Sequence, residues 1–405
     1  MTAHHTPHTA SDQANARTAV GRWPSMKADR MASLLTAGDP LADAVIAELA
    51  ACGPRARQAL DNGLRNGLTR LDERPPEAVA ALLKEVETPP SWAAPLMLHR
   101  GDVVSLSVPP MWFGLCAITS ALVHTYASPG AARLLMRTDR PAQTAARRLV
   151  EAGVWARQTI RPGGLLRGRP GYVATVEARL RHARLRATAL TDRDMGMPGR
   201  PSGRLDMART WLGFTLVAHQ ALAAVGIDLT GEEERRLYRY WAYVAHLLGV
   251  DESLYTGVAD HTDARRLQDT LDAMAPSPDT TSRTATAAVI GAQAHATARA
   301  PGAVLSEERL RDLIHWVLRR SLGMPAADRL GIPDDPAVTD LMPLISMVNG
   351  QARQWQTFSP ASAQAARRQA AEEPGPGTDP IAAVLALGVA SRRRAEVRRS
   401  GTPAA

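Results

Sequence analysis

Along most of this 405-residue chain, apolar residues recur at the helical period and the runs end on Gly or Pro. Extended runs rich in β-branched residues are scarce. A chain patterned in this way buries its apolar stripes helix against helix, so the expectation is an all-α fold, a multi-helix bundle. Asp39-Pro40 stands just ahead of an apolar helical run, GDPLADAVIAELA, which is a helix start. Pro75-Pro76 opens PEAVAALLKEVE, which stops at Pro89-Pro90. Met111 to Ala127, MWFGLCAITSALVHTYA, is strongly apolar and too short to span a bilayer comfortably, so it reads as a central buried helix. Ser91 to Leu98 reads as a loop, and RGDVVSLSV after it as a short extended piece.

Hydrophobic residues make up 45% of the chain, enough for a folded protein. The expected organisation is a disordered tail over 1–25, one all-α domain over 26–370, and a linker with a C-terminal helix or tail over 371–405. The formal charge of +8 is almost all arginine, since Lys27 and Lys84 are the only lysines. These arginines are interleaved with Asp and Glu, and no aromatic-basic ladder offers stacking for bases, so no nucleic-acid partner is expected. Cys52 and Cys116 make neither a disulfide framework nor a zinc cage. The first residues show no export signal and no apolar run is long enough to cross a membrane, so the expectation is a cytoplasmic protein without an integral span. The common phosphate-loop, dinucleotide, zinc-protease and serine-hydrolase motifs do not occur.

The chemistry is expected on two helical stretches. In Gly171 to Leu190, GYVATVEARLRHARLRATAL, His182 has Ala178, Leu185 and Ala189 on its own stripe, with Arg179 and Arg186 flanking it. Two readings of that histidine stay open: an axial ligand to a flat, apolar, acid-tailed cofactor such as haem, or a core histidine with a hydrogen-bond partner. Ala142 to Ile160 places Arg148, Ala152, Trp155 and Thr159 along one stripe. The loop RPGGLLRGRPG joins the two stretches, which makes a cofactor sandwich a possible arrangement.

The order of these pieces resembles the family of the fungal oxygenase MpaB and the bacterial latex-clearing rubber oxygenases. The resemblance covers about residues 36 to 275 and rests on GDPLADAV, YASPGAARLLMRTDR, RRLVEAGVW, EARLRHARLR, LDMARTWLGF and WAYVAHLLGV. It implies a bundle with a globin-like core around haem b. His182 falls on the family's proximal iron ligand, and Arg148 and Arg186 fall on its pocket arginines. Trp155, Ala152 and Arg179 are the further cofactor-binding candidates. Neutral imidazole is a good iron ligand, and arginine pairs well with propionates or with bound oxygen species.

The sequence also departs from the rubber cleavers. Where some of them carry a lysine and a threonine just after the pocket arginine, this chain has Glu151 and Ala152. Their catalytic glutamate has no clear counterpart, since the region shortly before Arg148 offers only Asp139. The expected activity is therefore a haem b-dependent oxygenase or oxidase acting with dioxygen on a small, largely apolar substrate. Arg148, Arg186 and Glu151 are the catalytic candidates. The alternative is a non-catalytic haem-binding sensor or carrier.

Overall fold

A computed structural model describes residues 33–34, 37–135, 140–191, 203–334 and 338–361, with 364, 365 and 368. The tail over 1–25, Lys27, Asp139 and the segment over 371–405 lie outside the described residues. Among the described residues the fold is all-α, with no strand. The helices are α1 (Pro40–Cys52), α2 (Pro54–Asn66), α3 (Glu77–Glu87), α4 (Pro95–Arg100), α5 (Pro110–Tyr126) and α6 (Pro129–Leu135). There follow α7 (Pro141–Ile160), α8 (Pro170–Thr191), α9 (Arg204–Leu212), α10 (Ala218–Ala224), α11 (Gly231–Leu247) and α12 (Glu252–Tyr255). The last are α13 (His261–Met274), α14 (Thr280–Ala298), α15 (Glu307–Leu322), α16 (Met324–Arg329) and α17 (Met342–Phe358). No single helix is long and apolar enough to cross a membrane.

The helices group into two compact units interleaved along the chain. The first takes residues 1–101, 163–212 and 231–277; the second takes 102–162, 213–230 and 278–405. In the first unit, α1 packs on α3 and α8, and α8 also meets α11. In the second, α14 packs on α7, α5 and α15, and α15 also meets α10.

Asp39 explains how the first unit closes. Its side chain caps α1 by accepting from the amide of Ala42 at 3.1 Å, which satisfies a donor the helix leaves open. The same carboxylate accepts from Arg179 Nε at 2.5 Å and Nη2 at 3.0 Å, while Arg179 Nη1 donates to Glu85 of α3 at 2.6 Å. One buried guanidinium thus ties α8 to α1 and α3. Burial alone would raise the Asp39 carboxyl, but hydrogen bonds and charge from Arg179, the Ala42 amide and the Arg186 charge outweigh it and hold it below its usual value. Gly249, at φ +70, lets the backbone approach this pair: a Cβ there would fall 2.5 Å from Asp39 Oδ2 and against Arg179 Nε. Trp211 at the end of α9 donates through Nε1 to the carbonyl of Trp241 on α11 at 2.8 Å.

Two local expectations differ from the structure. RGDVVSLSV is not extended: Asp102 accepts from the amides of Val104 and Ser105 and from Ser105 Oγ, and a short 3₁₀ turn, Ser105–Ser107, follows. A short polar side chain bonding its own backbone offers the chain a turn instead of a strand. Ser91 to Leu98 is not all loop, since Pro95 starts α4.

Two consequences are measurable. Asp39→Ala should cost about 3–5 kcal/mol, because it leaves a buried guanidinium short of its counter-charge, and Asp39→Asn should cost less because it keeps the cap. Urea unfolding midpoints measure both, and a loss under about 1 kcal/mol for Asp39→Ala would refute the role. The folded carboxyl sits below the ordinary 3.8, so its stabilisation is full above that pH and fades as pH falls through the folded value. In Asp39→Asn this acid-side loss should shrink.

Candidate functional site

Helix α8 is apolar on more than one side. The face that it buries runs through Tyr172, Val176, Arg179, Ala183 and Arg186, at alternating spacings of four and three. Arg179 and Arg186 are therefore core residues rather than the rims of the histidine's stripe. Arg186 meets Asp43 of α1, its Nε at 2.9 Å and its Nη2 at 2.7 Å from Oδ1. Both arginines already hold carboxylates, the kind of group a propionate would present. Ala178, His182 and Leu185 share a neighbouring, half-buried face. The Ala189 side chain lies outside the described residues. His246 on α11 is half-buried and stacked on Tyr243 with centroids 6.0 Å apart; burial lowers its pKa and favours the neutral ring.

Helix α7, in the second unit, has the same two-sided character. Ala145, Leu149, Ala156 and Ile160 are buried, whereas Arg148, Glu151, Ala152 and Trp155 form a half-buried face; Thr159, expected on their stripe, is buried. Arg148 Nη1 donates to Glu151 Oε2 at 2.7 Å, one turn on, and Arg147 Nε lies 3.8 Å from the other carboxylate oxygen. Arg148 Nε is buried with no hydrogen-bond partner among the described residues. Trp155 meets Phe214 edge to face, with centroids 4.7 Å apart.

Two π-helical turns belong to this unit. One is Phe113–Ile118 within α5, where the Thr119 hydroxyl donates to the carbonyl of Gly114 at 3.2 Å, five residues back. The other is Gly213–Val217, between α9 and α10. Such turns occur often at functional sites. The second turn lies against α5 just past the first: a Cβ on Gly213 would lie 3.2 Å from the Ala121 carbonyl and 3.4 Å from His124 Nδ1. His219, just beyond the second turn, is buried and meets the Thr215 carbonyl through Nδ1 at 2.8 Å.

Tyr126, at the end of α5, is the residue that sequence reasoning missed. It is fully buried, and its hydroxyl has no hydrogen-bond partner among the described residues. Burial pushes its pKa up to about 12; Arg148 and Arg147 pull it down and Glu151 pushes it up, so the phenol sits within the field of the Arg148 group. The available signal was its position at the head of YASPGAARLLMRTDR.

Residues 103–353 match the family described as ER-bound oxygenase mpaB/B'/Rubber oxygenase, catalytic domain. The chain belongs to this family. The match starts later and runs further than the stretch carrying the motif resemblance. The fold is similar to a solved structure of latex clearing protein LCP in the closed state, with a TM-score of 0.57 at 17% identity, over 87% of this chain and 90% of that one. At that identity the likeness speaks for the helical fold. No curated protein matches. Membership in the mpaB/rubber oxygenase family makes the chain oxygenase-like.

Removing the Tyr126 hydroxyl takes away a buried polar group without a hydrogen-bond partner among the described residues, so Tyr126→Phe should leave stability at neutral pH within about 1 kcal/mol of the parent. On the alkaline side, the folded phenol titrates above its ordinary 10. Its stabilisation is full below pH 10 and is lost as pH rises toward about 12. Urea titrations across that range should show a smaller alkaline loss in Tyr126→Phe; an unchanged loss would mean that this phenol is not the group responsible.

Proposed function

We propose that this protein is a haem b-dependent oxygenase or oxidase that acts with dioxygen on a small, largely apolar substrate, with His182 as the residue that would hold the iron. The observation that carries the reading is the family match; His182, in the stretch EARLRHARLR that resembles the family's ligand helix, lies on a half-buried helix face, which supports it. The donor chemistry fits. Among the described residues no group of three or more His, Cys, Asp or Glu could hold a metal ion, so iron at His182 has to bring its other ligands, as a porphyrin does. Ala178 and Leu185, which share the half-buried face of His182, are apolar, as the neighbours of a flat macrocycle would be.

Haem held by His182 would supply the redox chemistry of oxygen transfer. The chain's own residues divide the remaining work. Arg179 and Arg186, paired with Asp39, Glu85 and Asp43, fix the helix that carries His182, so the imidazole is presented on a rigid element. For Arg186 this assigns positioning, acting through α8. In the second unit, Arg148 offers an unused Nε donor, and Glu151 holds its guanidinium in place. Glu151, committed to two arginines, acts as a positioning residue rather than a free base. The Tyr126 phenol stays protonated through the physiological range and is a neutral donor. Trp155, Phe214 and Ala152 give this half of the reading its apolar character, which favours an apolar substrate.

Two measurements test the reading. His182→Ala should abolish the Soret band and the bound iron of the purified protein while its helical circular dichroism persists; full haem retention with an unchanged spectrum would remove His182 as ligand. Oxygen consumption normalised to bound haem should fall about tenfold to a thousandfold in Arg148→Ala, by analogy with a lost oxyanion donor. An unchanged normalised rate would leave Arg148 a structural role. Haem binding without any oxygen turnover would favour the sensor or carrier.

A further inference from the structure

Tyr238 of α11 is fully buried, and its hydroxyl lies 2.9 Å from Nδ1 of His261, the first residue of α13. The two rings meet edge to face with centroids 5.5 Å apart. A phenol is the better donor and a neutral imidazole nitrogen the better acceptor, so the hydroxyl donates and the imidazole carries its own proton on Nε2. Glu234, one turn before Tyr238, completes the group. Its Oε2 accepts from the backbone amide of His261 at 2.9 Å and lies 3.9 Å from Nδ1. Trp211 of α9, also buried, meets the Tyr238 ring edge to face with centroids 6.1 Å apart. All four residues belong to the first unit, in which α11 packs on α8.

We propose that Tyr238 is a site of one-electron oxidation, with His261 as the base that takes its proton. In this step Tyr238 gives one electron to an oxidant and its hydroxyl proton to Nδ1 of His261. The O–H bond breaks and an N–H bond forms. The products are a neutral phenoxyl radical, an imidazolium and an oxidant reduced by one electron. The oxidant is a one-electron acceptor of high potential, the class that oxygen activation generates. An electron from a one-electron reductant reverses the step, and the proton returns from Nδ1 to the phenol oxygen. Use of the pair within the enzyme rests on the oxygenase reading above; the chemistry of the pair itself does not.

Burial makes the base necessary. An electron taken from a phenol that keeps its proton leaves a cation in an apolar interior, which is costly. Moving the proton in the same step places the charge on His261, whose side chain is 14% exposed and has the Glu234 carboxylate beside it. A carboxylate at that distance favours the imidazolium. The chain's other tyrosines supply a contrast. All six tyrosines are buried. The hydroxyls of Tyr126 and Tyr172 have no hydrogen-bond partner among the described residues, so oxidation there finds no base for the proton. A partner that only satisfied the Tyr238 hydroxyl would need to accept a hydrogen bond, which a glutamine oxygen also does. A proton acceptor must in addition be basic, as imidazole is.

The test oxidises the full chain with photogenerated tris-bipyridyl ruthenium(III) and reads the frozen sample by electron paramagnetic resonance. Trp355 is 66% exposed and would meet a dissolved oxidant first, so every sample carries Trp355→Phe. A tyrosyl signal is expected, identified by its narrowing in protein grown on ring-deuterated tyrosine. It should show a proton coupling that disappears after exchange into deuterium oxide, the mark of a phenoxyl oxygen hydrogen-bonded to the imidazolium. Tyr238→Phe should lower the tyrosyl yield severalfold. His261→Gln, which keeps an acceptor and removes the base, should lower it to a similar extent while helical circular dichroism persists. No tyrosyl signal in the parent, a signal without the exchangeable coupling, or an undiminished yield in either variant would overturn the proposal. Ruthenium(III) acts without haem, so haem-free and haem-loaded protein should behave alike, and failure of the oxygenase reading would leave this result standing.

Discussion

The first unit depends on one buried carboxylate. Asp39 does three jobs with two oxygens: it caps α1, neutralises Arg179 and, through that guanidinium, connects α1 with α3 and α8. A buried pair of this kind is weak evidence for net stability, because desolvation offsets much of the attraction. Its effect on specificity is more direct, since a docking of α8 that kept these charges buried but parted them would leave both without a counter-charge. Gly249 belongs to the same arrangement, because a side chain there would occupy the space of the pair. Three of the motifs that carry the family resemblance, GDPLADAV, EARLRHARLR and WAYVAHLLGV, therefore meet at one ion pair.

Much of the fold was legible because its punctuation is local. Asp39-Pro40 starts α1, and the apolar run from Met111 becomes α5, as the sequence suggested. The stripe of Arg148, Ala152 and Trp155 on α7 is half-buried together, apart from Thr159. Helix α8 was harder to read. Apolar residues surround it, so periodicity cannot choose which face meets the core, and the partners that decide, Asp39, Asp43 and Glu85, stand far away in sequence. RGDVVSLSV misled because its residues have strand propensity, while Asp102 bonds to its own backbone neighbours. Tyr126 was hidden for a different reason: within a uniformly apolar run, nothing local distinguishes a packed tyrosine from one whose hydroxyl lacks a partner.

The arginines illustrate how burial and satisfaction separate structure from chemistry. Arg179 has each of its three nitrogens bonded to a carboxylate, and burial with those partners leaves it permanently charged and fixed. Three of its five N–H groups are committed to carboxylates. Arg148 is held at one nitrogen by Glu151 and keeps another, buried, without a hydrogen-bond partner among the described residues. An unsatisfied donor costs folding energy, and residues that retain such a cost are those where a ligand can recover it. The same sequence symbol thus carries opposite roles on α7 and α8, and only the count of partners tells them apart.

The π turn inside α5 has an evolutionary reading. A π turn is an α-helix with one residue too many, and that surplus sets the azimuth of everything after it. Ser120, His124 and Tyr126 face where they do because the turn over Phe113–Ile118 has absorbed an extra residue. Losing one codon there would restore a regular helix and swing Tyr126 by about 100°, a full residue's rotation. A change of length here acts at a distance, on where Tyr126 points, whereas a change of side chain acts on the packing of the buried Leu115, Cys116, Ala117 and Ile118.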